Sequence, residues 1–300
     1  MMDMLSINAL HKRFGDKEVL CGLDLHVPEH SIFGFIGKNG SGKTTTMKAA
    51  LGLIRADSGE IYINGEQVFY GQNATNRHVG YLPDVPEFYS FMTAREYLKF
   101  CSDITKIAPV NAQKRIEELL TLVGLNGEKH RINGFSRGMK QRLGIAQALL
   151  SKPKLLICDE PTSALDPTGR KEILDILSAV KEETTVLFST HILSDVERIC
   201  TNVALLDGGV ARISGSISQI KEKFRKCEYV LEAEAPEGIS ALTKAFPKVS
   251  RSGEKSATFC EREYPLADIL RFAAEKQLPL IRLERLEPTL EDLFVEVTEG

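Results

Sequence analysis

The sequence predicts an α/β fold: a first domain of buried strands and helices, followed by a smaller α+β domain. Three observations predict it. The apolar run Ile32-Phe33-Gly34-Phe35-Ile36 reads as a buried strand and leads into Gly37-Lys38-Asn39-Gly40-Ser41-Gly42-Lys43-Thr44, which has the form G-x-x-x-x-G-K-[ST] of the phosphate-binding P-loop. A second apolar strand, Leu155-Leu156-Ile157-Cys158, emerges into two adjacent carboxylates, Asp159 and Glu160. Beyond about Phe224 the elements follow a β-α-β-β-α-β order. The 300 residues therefore divide into two domains, 1–223 and 224–300, in keeping with the usual domain size.

Composition narrows the classes. Apolar residues make up 43% and charged residues 26% of the chain, as in ordinary globular proteins. The net charge of -3 leaves no basic footprint, which argues against nucleic acid as a partner. The apolar runs fall short of the ~18 residues that a membrane helix needs. Residues 1–14 lack the cationic start and apolar core of a signal peptide, so a cytoplasmic chain is expected. Six cysteines (Cys21, Cys101, Cys158, Cys200, Cys227 and Cys260) are scattered without a C-x-x-C pair and are expected to be reduced core residues rather than zinc ligands.

Residues 4–27 alternate as two strands with a turn at Gly15-Asp16-Lys17. Phe14, just before that turn, either stacks on a nucleobase or ends the core of a hairpin. In the loop at 37–44 the glycines let backbone N–H groups turn inward at the start of a helix expected over 45–53, which makes a concave anion site. Lys43 can reach β- and γ-phosphates there, and the Thr44 hydroxyl can ligate Mg²⁺. Residues 58–63 and 77–82 read as strands, and Pro83 and Pro86 then interrupt regular structure. Thr93-Ala94-Arg95-Glu96 is a capping box. Ile116, Leu119, Leu120 and Val123 share one face of a second helix, which Gly124 ends. Residues 88–150 thus form a helical insertion.

The insertion closes on Phe135-Ser136-Arg137-Gly138-Met139-Lys140-Gln141-Arg142-Leu143. Ser136 either simply caps a helix running to about Leu150 or opens an anion site at its start. After the strand at 155–158, alternation sends the two acids in different directions. Asp159 can serve Mg²⁺, and Glu160 can orient, or take a proton from, water attacking a γ-phosphate; the other reading is a strand end that uses acids for solubility. Asp166 and Pro167 start a helix to about Glu182. Residues 185–189 form another buried strand, with His191 at its end as a γ-phosphate contact or a plain surface residue. Residues 202–207 and 210–214 form a hairpin around Gly208-Gly209.

In this order the motifs resemble the nucleotide-binding subunit of an ABC (ATP-binding cassette) transporter over about residues 4–220. Residues 37–44 match Walker A, 155–160 Walker B, 135–141 the ABC signature and 163–166 the D-loop; His191 matches the switch histidine. The resemblance implies a P-loop NTPase with a RecA-like core, an antiparallel β subdomain and the helical subdomain at 88–150. It implies ATP and Mg²⁺, with Lys43, Glu160 and His191 catalytic. Nucleotide contacts are implied for Phe14, in the place of the adenine-stacking aromatic, for Val19, and for Asn39, Gly40, Ser41, Gly42, Lys43, Thr44 and Thr45. Mg²⁺ is assigned to Thr44, Asp84 and Asp159. Ser136 and Gly138 are implied to reach phosphate from a facing subunit. That makes a head-to-tail dimer, homodimer before heterodimer, with two ATP at its interface, driving a separate membrane permease from the cytoplasmic face.

Two departures stand out. The usual signature L-S-G-G-Q is here Phe135-Ser136-Arg137-Gly138-Met139, a form that resembles an exporter branch handling drugs, peptide antibiotics, sodium or lipids. Asp84 stands where the Q-loop glutamine is expected. The rival reading is a soluble ABC ATPase acting on ribosomes or nucleic acid; such chains generally carry two cassettes, long coiled coils or zinc modules, none of which is visible in the sequence.

In the C-terminal segment, strands at 227–233, 247–251, 256–261 and 279–286 and helices at 238–246, 265–277 and 289–297 give the split βαβ order of a ferredoxin-like domain. The ending Pro288-Thr289-Leu290-Glu291-Asp292-Leu293-Phe294 resembles the tail of the same exporter branch. Leu290, Leu293, Phe294 and Val297 share one apolar helical face, which docks on its own domain or on a second copy.

Overall fold

The computed structural model describes residues 3–72, 74–224, 228–286 and 289–299; Cys227 and Pro288 lie outside them. The chain forms two compact units, 1–217 and 218–300. The break precedes the boundary at 223 read from the sequence, because most of the helix Ile217–Lys223 goes with the second unit.

In the first unit, β1 (Asp3–Phe14) and β2 (Lys17–Pro28) pair antiparallel across the Gly15 turn. Alternation along them places Leu5, Ile7, Leu23, Leu25 and Val27 inward, each with no exposed surface. β3 (Ile32–Ile36) is buried at every residue, as a strand covered on both faces must be. Helix α1 (Lys43–Ala50) begins directly after Gly42, earlier than the expected Thr45. β4 (Ser58–Ile63) and β5 (Glu66–Gln67) complete an antiparallel sheet in the order β2-β1-β4-β5.

The strand expected at 77–82 is shorter, β6 (Val79–Leu82), because Ala74–His78 forms a 3-10 helix before it. The helical insertion contains α2 (Ala94–Ile104), α3 (Pro109–Leu122) and α4 (Arg137–Ala148). The Thr93–Glu96 capping box is complete in both directions. Then come β7 (Leu155–Cys158), α5 (Pro167–Val180), β8 (Thr185–Thr190), α6 (Leu193–Ile199), β9 (Asn202–Asp207) and β10 (Val210–Ser216).

The second sheet runs β10-β9-β3-β8-β7-β6. Its strands are parallel except for β10, which returns antiparallel to β9. Phe33 and Phe35 of β3, Met47 of α1 and Leu155 and Ile157 of β7 pack with Leu5, Ile7 and Leu25 in one core. A Cβ on Gly80 of β6 would lie 2.2 Å from the Ala148 carbonyl oxygen. The strand and the end of α4 therefore meet backbone to backbone, and only glycine fits.

Helix α7 (Ile217–Lys223) spans the break between units. The second unit contains β11 (Glu228–Ala233), α8 (Pro236–Ala245), β12 (Ser250–Arg251), β13 (Ser256–Cys260), α9 (Leu266–Glu275), β14 (Leu280–Arg285) and α10 (Leu290–Glu299). All neighbours in its sheet, β12-β13-β11-β14, are antiparallel. Because β13 lies between β11 and β12, this is the split βαβ arrangement of a ferredoxin-like domain. Leu231, Ile239, Leu242, Phe259 and Ile269 form its core. On α10, Leu290 and Leu293 are buried within the single chain. Of the five described cysteines only Cys158 is fully buried; Cys21, Cys101, Cys200 and Cys260 are half-buried, and all five are free. Among the described residues no helix is long and apolar enough to cross a membrane.

Candidate nucleotide site

The carboxyl ends of β3, β6, β7 and β8 open on a cavity of about 460 Å³, lined by Phe14, Val19, Asn39, Gly40, Gly42, Lys43, Thr44, Thr45, Asp84, Asp159, Glu160, Ser163 and His191. The mouth formed by parallel strand ends is where open α/β sheets bind ligands. A larger depression of about 610 Å³ on the helical insertion, with Arg115, Glu118 and Lys152 in its wall, holds none of these residues.

The loop between β3 and α1 depends on its glycines. Gly42 has φ 112°, and a Cβ there would lie 2.8 Å from Leu20 Cδ2 and 3.2 Å from the Val19 carbonyl oxygen. Ser41 does not line the cavity, and its hydroxyl oxygen is buried without a hydrogen-bond partner. Lys43 is 5% exposed. Its ammonium donates to the carbonyls of Gly37 at 2.7 Å and Lys38 at 3.3 Å, and stands 3.2 Å from Glu160 Oε1.

Glu160 is the first residue but one past β7 and has φ 48°. A non-glycine residue in this left-handed region costs of order 1–3 kcal/mol, and such residues cluster at functional sites. Its backbone N–H donates to Ser189 Oγ at 2.9 Å, and the Ser189 hydroxyl donates to Asp159 Oδ1 at 2.7 Å. One serine thus fixes both acids. The other Glu160 oxygen, Oε2, meets His191 Nδ1 at 2.9 Å. The carboxylate is held between Lys43 and His191.

The donor set suits a hard cation. Thr44 belongs to the cavity wall, and Asp159 is 3% exposed with one oxygen taken by Ser189. Among the described residues no cluster of three or more His, Cys, Asp or Glu side chains could hold an ion alone. Mg²⁺ is usually held by one or two carboxylates together with substrate phosphates, so oxygen donors of this kind fit it. Burial first, and then the Asp159 charge, push the Tyr81 hydroxyl up to about 12, so it stays neutral beside the acids.

Asp84 lines the cavity but is held from α4. Arg137 Nη2 donates to its carboxylate at 3.2 Å, and Gln141 Nε2 donates to its carbonyl at 2.6 Å. Ser136 and Gly138 do not line this cavity. Ser136 is exposed, and its Oγ accepts the Met139 N–H at 3.2 Å as the cap of α4. Phe14 is 49% exposed, with Lys12 Nζ 5.1 Å from its ring centroid. A buried bond braces the acids from behind: Thr162 Oγ1 donates to Asp195 Oδ2 at 2.7 Å, joining the segment after Glu160 to the helix after His191.

Sequence reasoning does not reach Ser189, Arg137, Gln141 or Asp195. Ser189 carries a signal: it is a hydroxyl directly after the apolar run Val186-Leu187-Phe188. The other three act across long sequence separations and carry none.

The chain is similar in sequence and in fold to known proteins. A family profile described as "ABC transporter" matches residues 20–163, and one described as "ATP-binding protein DrrA1-3-like, C-terminal domain" matches residues 215–298. The chain is 39% identical to the "Uncharacterized ABC transporter ATP-binding protein YxlF" of Bacillus subtilis, over 99% of this chain and 100% of that protein. It is 40% identical to the "Bacitracin transport ATP-binding protein BcrA" of Bacillus licheniformis, over 100% and 99%. The solved "ATP binding subunit of ABC transporter" superposes with a TM-score of 0.66 at 30% identity, covering 74% of this chain and 93% of that one. The fold is also that of CbiO1 from Clostridium perfringens, with a TM-score of 0.68 at 23% identity, covering 82% and 97%. With full-length relatives of this kind and an intact phosphate loop at its centre, the chain belongs to the family of ABC transporter ATP-binding proteins and is an ATPase serving transport.

Proposed function

We propose that two copies of this chain close head to tail over two ATP molecules and so drive a separate membrane-spanning permease from the cytoplasmic face, in the direction of export. The observation that carries the reading is the Glu160 carboxylate held between Lys43 and His191 at the mouth of the P-loop cavity. In this assignment the backbone from Asn39 to Thr45 cradles the phosphates, with the Ser41 hydroxyl in the loop, and Lys43 pairs with the β- and γ-phosphates. Phe14 and Val19 flank the base.

Glu160 accepts a proton from the attacking water. The water oxygen bonds the γ-phosphorus, the bridging P–O bond breaks, and ADP and phosphate leave. His191 contacts the γ-phosphate and orients Glu160. Thr44, Asp159 and, in one of its positions, Asp84 would hold Mg²⁺. When bound, the ion neutralises charge on the β- and γ-phosphates.

Ser136 and Gly138 lie outside the cavity of their own chain. This supports the reading that they meet the nucleotide of the facing copy, through the exposed start of α4. Export is supported by the Phe-Ser-Arg-Gly-Met signature and by relatives named for bacitracin transport; the permease selects the cargo. The test is the company the protein keeps. A tagged chain should co-purify from detergent extracts with a membrane-spanning protein that stimulates its phosphate release. Full activity in cells with no membrane protein attached, or co-sedimentation with ribosomes instead, would overturn the reading.

A further inference from the structure

Asp84 is gripped at two points from one face of α4. The amide of Gln141, which has no exposed surface, donates to the Asp84 carbonyl, and Arg137, four residues earlier, donates to the Asp84 carboxylate. Residues four apart lie on the same side of a helix. The two grips differ in kind. The first is buried and fixes the backbone. The second lies in solvent, with the Arg137 and Asp84 side chains 42% and 46% exposed, and exposed ion pairs of this sort are weak and readily exchanged. Asp84 also borders two cavities: the nucleotide site, and a smaller one of about 200 Å³ walled by Val85, Pro86, Arg137, Lys140 and Gln141. One carboxylate therefore sits between two claimants while its backbone stays anchored.

We propose that Arg137 is a positioning residue for Asp84: its guanidinium keeps the carboxylate on the α4 side and so withholds it from the divalent cation of the nucleotide site. The inference rests on the metal role proposed for Asp84. Both partners depart from the family's signature and Q-loop pattern, and they face each other. A neutral side chain at 84 would give the guanidinium no charge to hold. The α4 end that bears Ser136 thereby governs how many carboxylates the cation of the same chain can use.

The sign of the effect separates this role from its rivals. Mn²⁺ in place of Mg²⁺ gives a paramagnetic readout of ion binding to the full chain saturated with a non-hydrolysable ATP analogue, without turnover. Arg137→Ala should tighten Mn²⁺ by about two- to fivefold, the range set by an exposed ion pair. Arg137→Lys should behave as the unmodified chain. Asp84→Ala should loosen Mn²⁺, and adding Arg137→Ala to it should change nothing further. Both side chains are half-exposed, so the variants should keep the thermal midpoint, which serves as the folding control. Unchanged or weaker Mn²⁺ binding in Arg137→Ala, beside a clear loss in Asp84→Ala, overturns the inference alone; a weaker value would place the guanidinium on the phosphates. Unchanged binding in Asp84→Ala and in Arg137→Ala alike overturns the metal role of Asp84, and the inference with it.

Discussion

Replacing Glu160 by Gln keeps the shape of the side chain and removes its charge. In the structure that charge lies 3.2 Å from Lys43 Nζ, and the two side chains are 14% and 6% exposed. At an effective dielectric of about 20 the gross attraction is ~5 kcal/mol. Desolvation cancels most of it, and the net value of a hydrogen bond to a charged group is about 1.5–3 kcal/mol. The Lys43 ammonium also donates to the Gly37 and Lys38 carbonyls, so the lysine is not left unpartnered by the change. The substitution removes competition for Lys43 and repulsion of the incoming phosphate. If about 1 kcal/mol of that reaches the nucleotide, ATP binds roughly fivefold tighter. Turnover moves the other way. A positioned general base contributes about 10²–10⁴ in rate, so steady-state phosphate release should fall by that factor, about 3–5 kcal/mol of barrier. A fluorescent ATP analogue measures the affinity, a phosphate-release assay the rate, and sedimentation with ATP the dimer that should accumulate. Hydrolysis at the unmodified rate by a correctly folded Glu160→Gln chain would remove Glu160 as the base.

Other outcomes rest on the same geometry. Gly80→Val forces β6 and the end of α4 apart and should cost about 3 kcal/mol or more, read as a fall of roughly 6–12 °C in the melting of the first unit. Phe14→Ala should raise KM for ATP about tenfold and leave kcat nearly unchanged, since stacking a base on an aromatic ring contributes ~1–3 kcal/mol. Ser136→Ala removes the cap of α4, about 1 kcal/mol of stability, and should abolish ATP-driven pairing in sedimentation while single-chain nucleotide affinity persists. Burial raises the Asp195 carboxyl above its ordinary value, against the opposing bond from Thr162. The folded chain therefore holds this proton more tightly than the unfolded one, and the group's contribution to stability falls as pH rises from the ordinary carboxylate value through the raised one. Asp195→Asn should flatten that part of the stability profile measured by denaturant titration at several pH values.

Much of the site is legible in the sequence because its chemistry is local. A P-loop is eight consecutive residues, and a strand ending in two acids is six, so Lys43, Thr44, Asp159 and Glu160 can be read without knowing the sheet. The capping box at Thr93 and Glu96 is legible for the same reason. Strand order in the second unit is readable from element order alone, since β-α-β-β-α-β with antiparallel neighbours leaves few arrangements. Contacts between distant segments are not readable. Arg137 and Asp84 are separated by 53 positions, and Glu160 and Ser189 by 29; nothing in either pair announces its mate. Boundaries shift where a local competitor takes over, as the 3-10 helix at Ala74–His78 does at the start of β6. Of the five described cysteines, four are only partly covered, where core positions are expected from the sequence.

Strand order in the six-stranded sheet sorts the functional groups by how firmly each is mounted. The phosphate loop leaves β3, the two acids come after β7 and the histidine after β8, and these three strands are interior neighbours with ladders on both sides. Asp84 comes after β6, the marginal strand, bonded along one flank only. The groups proposed for the chemistry thus sit on a stiff chassis, whereas the residue gripped by the helical insertion hangs from an edge of the sheet, where a strand can shift without tearing a second ladder.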